Sequence, residues 1–206
     1  MPRPAVPTRR SDILRAARLA FGARGFPATR MEDIARHAGI SKAALYLQFA
    51  SKEELFEAAT AEVIETMLPE MAPATLDGLP AEPLLRGLIA AATMRLTQDD
   101  MIFVPRVIIG EGMNFPALAR FYYEQVVSRG ISVIERIIRH GIERGEFASD
   151  DVAQACRTVI GGILVGAIWK RVFEPVGAEV LDPPAMALAH AETVLSGLLT
   201  RKQSAA

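Results

Sequence analysis

Lys42, Tyr46 and Gln48 stand close together in the stretch GISKAALYLQFASKEEL, Gly39 to Leu55. Lysine offers a cationic donor, tyrosine a hydroxyl with an aromatic face, and glutamine a paired donor and acceptor. Groups of this kind read a surface by charge and hydrogen bonding; no nucleophile stands beside a base among them. At helical spacing, Lys42, Ala43, Tyr46, Leu47 and Gln48 are left outward once Leu45 and Phe49 close a core. A helix of about two turns is not stable alone. Its neighbours must hold it while that face stays open.

The neighbours carry dense helix-start signals. Thr29 with Glu32 reads as a capping box for a helix from Arg30 to Ala38, and Ser41 caps the next, Lys42 to Phe49. Ser51 with Glu54 repeats the pattern and opens a helix to about Leu68, while an earlier helix runs from Ser11 to Ala23 and stops near Gly22–Gly25. Between the second and third helices Ala35 permits close approach, Gly39 turns the chain, and Ile34, Ile40 and Phe49 fill the space around Leu45. Two short helices joined by such a turn form a helix-turn-helix, here over about 30–49.

That geometry matches duplex DNA, whose major groove admits one α-helix and brings its N-terminal residues closest to base edges. Lys42 suits guanine or phosphate, Gln48 suits adenine, Tyr46 offers its hydroxyl to phosphate and its ring to thymine methyls, and Ala43 presents a methyl group. Thr29, Arg30 and Ser41 stand at helix starts, where hydroxyls and backbone N–H groups hold phosphate oxygens. Lys52, in the first turn of the fourth helix, is expected to clamp the same strand. Arg3, Arg9 and Arg10 are candidates for minor-groove contacts from the tail.

Charge agrees. The net charge of -1 conceals 10 Lys/Arg against 3 Asp/Glu in residues 1–52, and 13 against 21 in residues 53–206. A basic segment joined to an acidic body predicts a polyanion partner for the first and another task for the second. Cys156 is the only cysteine, so no intrachain disulfide forms and a cytoplasmic location is expected. The apolar uncharged run from Thr158 to Trp169 is too short to span a bilayer, and the first ten residues do not read as a signal peptide.

The whole chain reads as all-α, with about nine helices in two parts: a DNA-binding domain over 7–67 and a helical domain over 68–206. After a linker from Pro69 to Pro80, helices are expected at Glu82–Thr97, Phe103–Gly112, Pro116–Arg144 with a bend at Gly130, Val152–Phe173 capped by Ser149 or Asp150, and from Pro183, capped by Asp182, to about Arg201.

The residues from Ile13 to Ala58 resemble the DNA-binding region of tetracycline-repressor-type (TetR family) regulators. The shared pattern is a helix ending in Phe, a Gly-x-x-x-Thr, Ile-Ala-x-x-Ala-Gly-Ile-Ser, Leu-Tyr-x-x-Phe and Ser-Lys-Glu-x-Leu. Gln48 departs from the histidine frequent at that place in the family. The resemblance implies a three-helix DNA-binding domain followed by helices that form an effector pocket and a dimer interface.

Pockets combine apolar walls with a few polar anchors. Met94, Phe103, Arg106, Ile109, Met113, Asn114, Phe115, Phe121, Tyr122, Trp169 and Phe173 are candidates for such a lining, with plain core packing as the alternative for each. A homodimer is expected through Gly161, Gly162, Val165, Gly166, Trp169, Met186, Leu188, Val194, Leu195 and Leu198. Glycines inside a helix cost up to about 1 kcal/mol each against alanine, which tight packing explains, whether across a dimer or within the chain.

The expected function is a DNA-binding regulator, a ligand-responsive repressor of a palindromic operator. The alternative keeps the fold but makes the chain a ligand-independent or partner-protein-controlled DNA-binding regulator, or an activator, with no small-molecule pocket. No cofactor or metal is expected, because His37, His140 and His190 lie far apart and form no cluster with cysteine; the small-molecule effector remains unidentified. No enzymatic constellation is visible.

Overall fold

The structure, a computed structural model, describes residues 10–67, 76, 78–98 and 103–199; the side chains of 64–67 and 103–106 fall outside that description. Among the described residues the chain forms nine helices, and the one β-type pairing is a bridge between Phe147 and Leu199. Helix α1 spans Arg10–Ala28, α2 Met31–His37, α3 Lys42–Gln48, α4 Lys52–Met67, α5 Ala81–Leu96 and α6 Phe103–Glu111. Helix α7 joins Pro116–Tyr122, a π turn at Tyr123–Val127 and Ser128–Glu143. Helix α8, Val152–Ile168, continues through a π turn at Trp169–Phe173 and a 3-10 turn at Glu174–Val176; α9 is Pro183–Leu198.

The chain packs as two compact units, one drawn from Met1–Thr66 with Asp99–Val126, the other from Met67–Gln98 with Val127–Ala206. Helices α6 and the first part of α7 therefore pack with the DNA-binding helices, although the linker signal after α4 places the start of a second domain at residue 68. In the first unit α1 packs on α2 and α6. Its centre is aromatic. Phe21, Phe26 and Phe56 are fully buried with centroids 5.3 to 5.6 Å apart, and Phe115 meets Phe26 edge-on at 5.1 Å. Gly25, at φ 76, breaks α1 and swings Phe26 into this cluster.

The second unit packs α5, the second part of α7, α8 and α9 against one another. Leu85, Ile89, Ile137, Ile138, Val159 and Leu195 form its dry centre. Two polar links hold the N-terminal part of α5: the Glu146 carboxylate accepts the Ala81 N–H at 2.6 Å, and Arg86 reaches both Glu82 and Glu192. Cys156 is buried here, and burial pushes its thiol up, as expected for an inert core cysteine.

Three local expectations are corrected. Arg30, not Thr29, occupies the N-cap of α2 and makes no side-chain cap; the Thr29 hydroxyl is buried and donates to the carbonyls of Gly25 at 2.6 Å and Ala20 at 3.2 Å. The irregularity in α7 falls at Tyr123–Val127, not at Gly130. Asp151, rather than Ser149 or Asp150, caps α8 by accepting from the Gln154 N–H at 2.9 Å. The cap on α9 is Asp182, as expected. The linker from Pro69 and the end of the last helix beyond Leu199 lie largely outside the described residues.

Candidate nucleic-acid interface

The recognition face is built from a turn, a cap and two anchors. Gly39 takes φ 71, which lets the chain reverse after α2. The Ser41 hydroxyl then accepts the Ala44 N–H at 3.1 Å and starts α3. Leu45 and Phe49 are fully buried and hold the helix down. Tyr46 is 43% exposed and Leu47 88%, with Lys42, Ala43 and Gln48 also on the open side. The structure thus brings the outward set together on one short helix, as its spacing implies.

Electrostatics on that face differ from a simple basic patch. The Lys42 ammonium pairs with the Glu32 carboxylate and lies 5.7 Å from the Tyr46 ring centroid. Their hydrogen bond holds Glu32 below, and Lys42 above, their ordinary values. Asp33 takes Arg24 at 2.8 Å and also Arg36. Sequence spacing showed none of these pairs between separated elements, because they arise only when α2 folds back beside α1 and α3.

Lys52 has a different task from the one expected. Its ammonium donates to the carbonyls of Phe26 at 2.8 Å, Thr29 at 3.1 Å and Pro27 at 3.3 Å, and sits 4.5 Å from the Phe26 ring centroid. Those acceptors are carbonyls left open where α1 ends. Burial draws the ammonium down from its ordinary value. All three donors are spent inside the fold, so a strand clamp is not its arrangement here. Lys52→Met is expected to lower stability by about 2 kcal/mol, the scale of hydrogen bonds to a charged group, measured by urea unfolding of the full chain; a phosphate-only role would leave the midpoint unchanged. Thr29 is likewise buried and engaged. Arg30 and Ser41 stay exposed at their helix starts. Arg10 lies 4.5 Å over the Phe49 ring, while Arg3 and Arg9 are outside the described residues.

The effector candidates fall in both units. In the first, Ile109, Met113 and Asn114 are exposed, Phe115 is spent on Phe26, and Phe121 lines an open depression of about 470 Å³ with Pro116, Ala117, Arg120 and Glu124. Burial lifts the Tyr122 phenol to about 12. In the second, Met94 is exposed, and Trp169 meets Phe173 edge-on at 5.6 Å while its Nε1 donates to the Glu179 carbonyl at 2.9 Å. The side chains of Phe103 and Arg106 lie outside the description.

Packing within the chain accounts for six of the ten residues expected at a dimer interface. A Cβ on Gly162 would run into the His190 ring, and one on Gly166 into the Met186 thioether, so these glycines and Met186 serve the α8–α9 contact of one chain. Val194, Leu195 and Leu198 are buried in its core. Gly161, Val165, Trp169 and Leu188 remain on the outside. Residues 152–176 form a helical run long and apolar enough to cross a membrane by length and composition, longer than its uncharged segment suggests, and only 28% of its most apolar window is buried in the chain.

Two family profiles match. One, bacterial regulatory proteins of the tetR family, covers residues 13–59; the other, the C-terminal domain of AefR-like transcriptional repressors, covers 83–194. The HTH-type transcriptional repressor KstR2 of Mycobacterium tuberculosis is 29% identical over 89% of this chain and 92% of its own length. An uncharacterized HTH-type regulator of Bacillus subtilis, YhgD, is 31% identical over 84% of this chain and 90% of its own. The structure is also similar to FadR from Bacillus subtilis in complex with stearoyl-CoA, with TM-score 0.73, 20% identity, and coverage of 92% and 99%. With both its helix-turn-helix and its C-terminal helices matched, the chain belongs to the TetR family and is a DNA-binding transcriptional regulator.

Proposed function

We propose that the chain works in the cytoplasm as a homodimeric repressor that holds a palindromic operator until a small apolar effector enters its C-terminal helices. The observation that carries this reading is the open face of α3, with Tyr46 and Leu47 exposed above a buried Leu45 and Phe49. A side chain as apolar as Leu47 gains little from water there and fits a groove of base edges and methyl groups. The uncovered apolar side of α8, with Val165, Trp169 and Leu188 of α9, supports a second copy as its cover.

Two recognition helices about one helical turn apart read the halves of a palindrome. An effector relieves repression only if it binds more tightly to a state in which α4 is tilted and that spacing is lost, with a coupling of about 1 to 3 kcal/mol. FadR, a protein of the same fold, holds a long acyl thioester, so acylated and other apolar compounds are the first class to screen. No catalytic step is proposed.

The open form of the Phe121 depression favours a second reading, in which a partner protein rather than a small molecule controls the body. Selection of duplexes from a random pool by the full chain tests the DNA half of the proposal. Enrichment of a palindrome is expected, with binding that weakens steeply as salt rises; no enrichment would overturn it. Release of the selected duplex by an apolar compound supports the effector, and release by a protein alone supports the second reading.

A further inference from the structure

Lys42 is held differently from Arg24, Arg36 and Lys52. Arg24 and Arg36 share Asp33, whose side chain is only 17% exposed, and Lys52 is enclosed by carbonyls. The Lys42–Glu32 pair is open: the two side chains are 55% and 50% exposed. One partner stands in the first turn of α3 and the other in the first turn of α2, brought together by the turn at Gly39. An exposed ion pair is weak and exchanges its partner readily.

We propose that Glu32 is a built-in competitor for DNA phosphate: its carboxylate occupies the Lys42 ammonium in the free protein and lowers affinity for duplex of any sequence. The inference rests on the DNA-binding reading of α3. When α3 approaches a groove, a backbone phosphate takes over the ammonium, and the displaced carboxylate stays at the rim with only the charge of Arg30 near it. The exchange swaps one anion for another. Lys42 therefore adds little to counterion release, although its position makes it look like a full phosphate contact. Glu32 thus restrains sequence-independent binding and leaves sequence discrimination to groups such as Tyr46 and Gln48 that face base edges.

The test needs no knowledge of the operator. The full chain and its Glu32→Gln variant are titrated onto a fluorescent mixed-sequence duplex by anisotropy, across a series of potassium chloride concentrations. Glu32→Ala serves as a second charge-removing variant, and thermal melts verify that each is folded. Removing the carboxylate should tighten binding by about three- to tenfold at low salt and steepen the plot of log K against log salt by about 0.9 per subunit, one added phosphate contact. In a Lys42→Ala background the same change should yield less than half of that gain. Equal affinities and slopes for wild type and both variants would overturn the role of Glu32 while leaving DNA binding intact. An equal gain with and without Lys42 would also overturn it, since Glu32 would then act by general repulsion. Failure of the wild type to bind the duplex even at low salt would overturn both this inference and the regulator reading.

Discussion

Tyr46→Ala is expected to abolish retention of the selected duplex, weakening binding by about a hundredfold or more, because the proposed dimer would lose the contact at both half-sites and each specific contact is worth about tenfold to a hundredfold. The residue is suited to such a test. Its ring is partly exposed rather than part of the core, while Leu45 and Phe49 beside it do the anchoring. Truncation should therefore leave the thermal melt of the chain, and its mass in solution, nearly unchanged. The ring also underlies the Lys42 ammonium at 5.7 Å, so its removal loosens a cation as well as deleting a contact. Gel retardation with the selected duplex reads the effect. Normal retention by a folded Tyr46→Ala protein would place the recognition surface elsewhere.

Phe26→Ala should have the largest effect on stability, a loss of about 3 to 5 kcal/mol by the usual cost of emptying a buried aromatic site. The ring touches Phe21, Phe56 and Phe115 and lies beneath the Lys52 ammonium. Removing it opens the centre of the first unit and takes away one side of the site that Lys52 occupies. Since a typical domain is stable by only about 5 to 15 kcal/mol, the DNA-binding unit should melt early. In urea, its amides should lose hydrogen-exchange protection before those of α5, α8 and α9 in the second unit. If the two units lost protection together with an unshifted midpoint, the aromatic cluster would not be the centre of the first unit.

Much of the interface was legible in the sequence because its determinants are local. Ser41, Gly39, Leu45 and Phe49 act within ten residues of one another, so cap, turn and anchors follow from spacing. The Ser51–Glu54 start is equally local: Ser51 accepts the Glu54 N–H at 3.0 Å, and the Glu54 carboxylate returns to the Ala50 N–H at 2.7 Å. Thr29 and Lys52 were misread for the opposite reason. Each looked like a helix-start residue available to phosphate, yet their partners are carbonyls at the end of α1, which no pattern around residue 29 or 52 reveals. Gly162 and Gly166 show a related limit. Small residues on a helix announce a close neighbour without saying whether it is another chain or, as here, His190 and Met186 of the same one. The joining of α6 with the first unit likewise depends on its fit against α1, a contact made across more than seventy residues.

The wide turn at the end of α8 has a consequence for the line traced by its outward residues. Along an ordinary α-helix, every fourth residue overshoots a full circle by about 40°, so a row at that spacing slowly winds around the axis. Gly161, Val165, Trp169 and Phe173 form such a row, all exposed. Between Trp169 and Phe173 the helix relaxes to π geometry, where four residues fall short of a full circle, and the last step turns back against the drift of the first two. The winding over the whole row is thereby cut to less than half of what three ordinary steps would give, along a length of roughly 18 Å at about 1.5 Å per residue, and the row ends in two aromatic rings. A row that winds less stays against a neighbouring helix over more of its length, whereas one with the full drift would leave it sooner.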